Sequence, residues 1–228
     1  NTPERLDFIY ENDVAVGQVL DYLASHEDPR NLGQNLLANT LFIFSSDNGA
    51  ENAGKESSGF YRGRKAHIHE GGHRVPTIAV WKDGDIGDGD ETTPGRTSHI
   101  CFGLNDLILS LADLVGIEGQ ARNGFAEDSV SVAPFLTGLQ DEAFEPHTLV
   151  LHDDYIMGPM LAIREGDWKL IVGEELVLEG ELKPMALFHM KENPREDELQ
   201  NLVESEDHQE LVASLSARLM DIYHVRHL

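Results

Sequence analysis

Thr40-Leu41-Phe42-Ile43-Phe44-Ser45-Ser46-Asp47-Asn48-Gly49 opens the stretch, Asn39 to Pro76, around which the rest of the chain reads. The apolar run Leu41 to Phe44 stops at once in Ser-Ser-Asp-Asn-Gly. A polar, glycine-rich segment follows, and then Tyr61-Arg62-Gly63-Arg64-Lys65 and Glu70-Gly71-Gly72-His73-Arg74-Val75-Pro76. The length of the apolar run fits a buried parallel strand. Ligands of open α/β sheets collect beyond the carboxyl ends of such strands. The adjacent Asp47 and Asn48 offer oxygen atoms that suit a hard cation such as calcium or magnesium. The basic run Arg62, Arg64, Lys65 offers a counter-charge for an anion. A metal beside a lysine points to a charged, oxyanion-like substrate.

Upstream, Pro3 to Ser25 carries Leu6, Ile9, Tyr10, Val16, Leu20 and Leu23 at spacings of mostly three and four, which predicts a helix. Pro29 and Gly33 in the polar segment after it end that helix. Downstream, Thr77 to Trp81 reads as a second strand. Helix, loop, strand is half of a doubly wound α/β unit. The segment from Lys82 to Ser98 holds Asp83, Asp85, Asp88 and Asp90, but as a calcium loop it fails: Pro94 stands where the closing glutamate belongs. Leu104 to Gly116 predicts a second helix with one apolar stripe, and Ala133 to Leu136 a helical turn. Asp141 to Pro146 reads as a seam. Beyond it Thr148–Leu151, Met160–Arg164, Trp168–Val172 and Ala186–Met190 read as strands, the middle two joined by the hairpin signal Glu165-Gly166-Asp167. Gln209 to Tyr223 predicts a final helix. The expected division is 1–143, an α/β core, and 144–228, a small antiparallel sheet covered by one helix.

Composition narrows the function. The 228 residues are 40% hydrophobic, enough for a sizeable core, and 17 Lys plus Arg against 41 Asp plus Glu give a formal net charge of −24. That charge repels nucleic acid and anionic membranes. No apolar stretch reaches the roughly 18 residues that a spanning helix needs. The single cysteine, Cys101, excludes an internal disulfide framework and reads as a buried thiol at the start of a helix. Walker, dinucleotide and Gly-x-Ser-x-Gly motifs are absent. His67-x-His69 is too short to stand alone as a zinc site.

The ordered set of motifs carries more. Thr40 to Gly49, Arg62-Gly63-Arg64-Lys65 and Glu70 to Pro76 resemble the second half of an arylsulfatase-type sulfatase, a family of alkaline-phosphatase-like fold. His99, Asn105-Asp106-Leu107 and Leu114-Val115-Gly116 continue the resemblance. So do Ala162 to Ile171, Leu187-Phe188-His189-Met190, Asn193-Pro194-Arg195-Glu196 and Asn201-Leu202. The resemblance implies part of a mixed sheet flanked by helices, followed by a small antiparallel sheet with one terminal helix. It implies hydrolysis of sulfate esters, on aryl sulfates or sulfated glycans. Asp47 and Asn48 are then calcium ligands, and Lys65 contacts the substrate sulfate. Arg64, His67 and His69 are further candidates for binding substrate; with residues 66–70 extended, the two histidines share a face and line a sugar or aryl subsite.

The family's nucleophile is a formylglycine made from Cys or Ser in a Cys/Ser-x-Pro-Ser-Arg motif. Cys101 is followed by Phe102-Gly103-Leu104 instead, and no such motif occurs. The resemblance therefore implies a C-terminal portion, inactive alone, whose partners are a sulfated substrate and either an N-terminal half or a second copy. Export to the periplasm or outside the cell is the expected location. Two alternatives stay open: a phosphonate or phosphate monoester hydrolase of the same superfamily, and a degenerate, non-catalytic binding domain. Asp-Asn-Gly is also a common turn, and a surface lysine commonly pairs with a neighbouring carboxylate.

Overall fold

A computed structural model describes residues 3–52, 57–87, 95–117, 126–138, 147–153, 159–173 and 182–226. The chain forms two compact units, and the division is not sequential. Asn1–Ser45 with Pro76–Glu145 make the first, and Ser46–Val75 with Pro146–Leu228 make the second. The seam expected at 141–146 and the acidic residues Asp88 and Asp90 lie outside the described residues.

The first unit begins with helix α1, Pro3–Ser25, at the predicted bounds. Strand β1, Phe42–Ser45, pairs with β2, Thr77–Val80, in a two-stranded antiparallel sheet. This corrects the expected buried parallel strand: β1 is partly exposed and its partner runs the other way. Phe44, Ile78 and Val80, from cross-strand neighbours on one face, are 42, 57 and 40% exposed. With Ile9, Val16 and Leu20 of α1 they line an apolar cleft. The helix expected over 104–116 begins as a 3-10 turn, Leu104–Asp106, and continues as α3, Leu107–Leu114. Buried Asp106 explains that start: its carboxylate accepts from Gly103 N at 2.7 Å and Val130 N at 2.9 Å. The first bond satisfies the amide that begins the helix, and the second ties that start to the loop before residue 133. Ser110 extends the same network by donating to Asp106 O and accepting from Val132 N, just before the short helix α4, Ala133–Leu136. Cys101 is exposed, contrary to expectation.

The second unit is built on a four-stranded antiparallel sheet in the order β3-β4-β5-β6: Leu149–Asp153, Met160–Glu165, Trp168–Gly173 and Lys183–His189. Glu165 pairs with Trp168 across a two-residue turn. Gly166, at its first position, has φ +54°, as the tight hairpin requires. Side chains alternate faces along each strand. Leu161, Ile163, Leu170, Val172 and Leu187 pack against Val212, Leu215 and Leu219 of the terminal helix α5, Gln209–Arg226. Met160, Ala162, Ile171, Ala186 and Phe188 face the other way and pack against Ile68. One face is thus covered by the predicted helix, and the other by the segment that follows β1. Leu170→Ala, at a fully buried position between β5 and α5, should cost about 2–5 kcal/mol, read from urea unfolding. A loss under about 1 kcal/mol would contradict this packing.

Candidate functional site

The segment 46–75 is held by its own backbone. Ser46 Oγ donates to Asn48 O, and Asn48 Nδ2 donates to Gly49 O, both at 3.0 Å. Gly49 N donates to Gly72 O at 2.8 Å, Lys65 N to Ala50 O at 2.8 Å and Gly71 N to Arg62 O at 2.7 Å. These bonds bring the Asp-Asn-Gly end of the strand beside the Arg-Lys turn and the Glu-Gly-Gly turn. Only glycine permits such closeness. A Cβ on Gly49 would sit 2.0 Å from Gly71 O, and one on Gly72 would sit 2.1 Å from His67 O. Glu70–His73 is one helical turn, α2.

Asp47 is exposed and Asn48 half-buried. Asn48 spends its Nδ2 on the backbone, so Oδ1 is the atom it can offer a cation. Carboxylate and amide oxygens are the correct donor type for calcium, which takes six to eight of them. Among the described residues no group of three or more His, Cys, Asp or Glu side chains comes together to hold a metal. Asp47 and Asn48 thus offer oxygen donors of the type calcium takes, but fewer than it needs. Lys65 is half-exposed, with Nζ 3.5 Å from Glu51 Oε2, a pairing weak enough in water to exchange for another anion. Arg64 Nη1 donates to Glu51 O at 3.1 Å. Residues 66–70 do not run extended: Ala66 has φ +65° and turns the chain. His67 is half-buried and His69 buried, and both Cβ atoms lie near Gly63. Arg62 reaches away, donating to Glu196 O and pairing with Glu198. His99 is exposed in the first unit. In the second, His152 is exposed, and Asp153 is buried, accepting from Ile68 N at 3.2 Å.

Beneath this segment lies a cluster the sequence reading missed. Lys169 of β5 is fully buried, and its Nζ lies 2.8 Å from Ile68 O, 3.2 Å from Glu70 Oε1, 3.1 Å from His73 Nε2 and 2.7 Å from Glu196 Oε1. Four polar atoms surround three ammonium protons. His73 Nε2 lies 3.3 Å from Ile68 O as well, so whether it accepts from Lys169 or donates to that carbonyl is set by its tautomer. Glu196 Oε2 accepts from Glu70 N at 2.7 Å. Burial works against the Glu70 carboxylate, but Lys169 and other positive groups nearby outweigh it and hold its carboxyl below the usual range. Burial pushes the Glu196 carboxyl up, against the pull of Lys169. Two carboxylates on one ammonium behave this way: one ionises readily, the other reluctantly. A signal was present in the sequence: in Trp168-Lys169-Leu170-Ile171-Val172 strand alternation places Lys169 on the same buried face as Ile171.

A sequence profile of the sulfatase family, described as "Sulfatase", matches residues 1–117. The chain belongs to the sulfatase family. The choline-sulfatase of Rhizobium meliloti (strain 1021) is 31% identical over 186 residues, covering 80% of this sulfatase chain and 31% of the relative. Arylsulfatase A of Bos taurus is 33% identical over 169 residues, covering 72% and 29%. A protein solved in complex with its substrate, D-glucosamine-2-N,6-O-disulfate, shares the fold with a TM-score of 0.59 at 19% identity. The match covers 92% of this chain and 37% of that one. The chain thus spans about a third of the length of the relatives it matches.

His73 of the cluster and nearby buried His69 give a pH dependence. Burial, then the charges of Arg62 and Lys169, drive His69 down to about 3, and burial, then Lys169, drives His73 down to about 4. Both stay neutral when folded, whereas in the unfolded chain they take up protons near pH 6.5. Their contribution to stability is complete above about pH 6.5 and is lost as pH falls toward 4 and below. Urea midpoints measured from pH 7 to 4.5 should fall, and fall less steeply in a His69→Gln/His73→Gln variant; equal slopes would contradict the assignment.

Proposed function

We propose that this sequence is the C-terminal part of a sulfate ester hydrolase, with Asp47 and Asn48 giving oxygen ligands to calcium and Lys65 binding the substrate sulfate. The observation that carries the reading is the backbone pairing of Gly49 and Ala50 with Gly72 and Lys65. It sets two oxygen donors and one half-exposed ammonium on a single compact segment. Sulfatase membership supports the reaction class.

Calcium, when bound, would draw the sulfate oxygens in and offset their charge. Lys65 would exchange its loose contact with Glu51 for the sulfate and stabilise charge developing on the ester oxygen. Asn48 is oriented by its bond to Gly49 O, which fixes Oδ1 for one task. Arg64 and His67 flank Lys65 in the same turn and would take the outer sulfate oxygens. His69, buried and neutral, supports the turn from behind. The attacking formylglycine would come from residues outside this sequence, since no Cys/Ser-x-Pro-Ser-Arg motif is present. A sulfated sugar is the favoured substrate class, supported by the fold shared with the protein solved on a disulfated glucosamine.

The test uses the full-length gene product on 4-nitrophenyl sulfate and on sulfated glucosamines, with calcium present. Lys65→Ala should lower kcat/KM by about 100-fold or more, and Asp47→Ala should lower calcium affinity together with rate. The 228-residue chain alone should give no turnover above buffer. A Lys65→Ala enzyme with undiminished kcat/KM would falsify the role given to this lysine.

A further inference from the structure

Lys169 is the second residue of β5, on the sheet face that packs against Ile68 and opposite Arg164 of β4, and it is fully buried. A buried lysine is rare unless paired, because taking an ammonium group from water is costly. Every group that compensates Lys169 belongs to the lysine-bearing segment or to the turn after β6. Ile68 O, Glu70 Oε1 and His73 Nε2 lie just downstream of Lys65. Glu196 completes the set and joins its members: Oε1 meets Lys169, Oε2 takes the Glu70 amide, and its carbonyl takes Arg62.

Arg62 is upstream of Lys65, and Ile68 and Glu70 are downstream. The segment is therefore fastened on both sides of an exposed crest at Lys65. The fastening is itself braced. Glu196 sits at φ +53°, a conformation unfavourable for glutamate that persists only where its surroundings enforce it. Asn193 enforces it, its Oδ1 accepting from Asp197 N at 3.0 Å and its Nδ2 donating to Asp197 O at 3.2 Å. Asp153 adds a further tie through Ile68 N. A purely cohesive device at this place needs only an apolar side chain, which would pack on Ile68 as its neighbours do. A charged cluster instead fixes direction and distance, because each bond has one partner.

We propose that Lys169 is a positioning residue: hydrogen-bonded to Ile68 O and Glu70 and ion-paired with Glu196, it fixes the turn that aims Lys65 at the substrate sulfate. The proposal rests on the sulfate-binding role of Lys65 given above and adds that the aim is set from the C-terminal sheet.

The experiment uses the full-length gene product, inorganic sulfate as inhibitor and 4-nitrophenyl sulfate as substrate, with Lys169→Met and the milder Glu196→Gln. Both variants should raise KM and the sulfate inhibition constant by about tenfold or more, as small misplacement of a binding group does. Amide exchange at residues 65–70 should quicken while residues 160–173 keep their protection. If Lys169→Met does not fold, Glu196→Gln carries the test. Folded variants that inhibit with the natural constant overturn the proposal. So does loss of protection in the sheet together with the turn, which would make Lys169 a support of the sheet alone. Lys65→Ala is measured in parallel. If it leaves sulfate inhibition unchanged while Lys169→Met still loosens the turn, the sulfate-binding reading has failed although the fastening is intact.

Discussion

An ammonium group held away from water constrains everything near it. Lys169 is fully buried, and its charge must be met where it stands. The cluster joins three separate stretches of chain: β5 carries the lysine, α2 brings Glu70 and His73, and the turn after β6 brings Glu196. Removing one partner of such a buried set typically costs about 3–5 kcal/mol, comparable to losing a large core side chain. The segment 46–75 has little apolar anchorage besides Ile68, which packs on the far face of the sheet from α5. Apolar packing and charge pairing thus act at the same place. Ile68 supplies cohesion, and the Lys169 set supplies orientation.

The glycines express the same constraint at the level of the backbone. Gly49, Gly71 and Gly72 approach neighbouring carbonyls so closely that a Cβ on any of them would collide. Their use is close packing of one strand end, one basic turn and one helical turn. That packing lets residues distant in sequence, Asp47, Asn48 and Lys65, share one compact segment. The surface charge around them tells little, since the formal net charge of −24 would by itself turn anions away. Under the proposed function a sulfate would meet Arg64 and Lys65, since Arg62 is turned to Glu196 and Glu198.

Much of the fold was legible before the structure. The α1 periodicity, the hairpin signal at Glu165-Gly166-Asp167 and the α5 stripe each follow from local physics, and each element lies where expected. The direction of β1 was not legible. A short apolar run states that a strand is present, and its partner is decided by distant sequence; here that partner is antiparallel β2. Asp47, Asn48 and Lys65 stood out as candidates from their motifs, and a backbone bond from Lys65 N to Ala50 O joins the two stretches that carry them. The extended course expected for residues 66–70 failed because Ala66 adopts a left-handed conformation that nothing in its neighbours announces. Glu196 could not be linked to Glu70 by reading, since they stand 126 residues apart. Lys169 gave a sign, a charge inside an apolar strand, but its meaning needed the other two.

That separation of 126 residues bears on how the protein is made. Chains leave the ribosome from the N-terminus at about 5–20 residues per second. Glu70 and the turn before it are therefore in solution for roughly 6 to 25 seconds, by the same rate, before Glu196 has been synthesised. For most of that interval the glycine-rich turn carries a carboxylate and histidines before any strand of the four-stranded sheet has been made. The first unit has the same interruption in its middle, because residues 46–75 are not its own. The turn that carries Lys65 is translated early in this sequence, yet its ties to Glu196 can form only once residue 196 has been made.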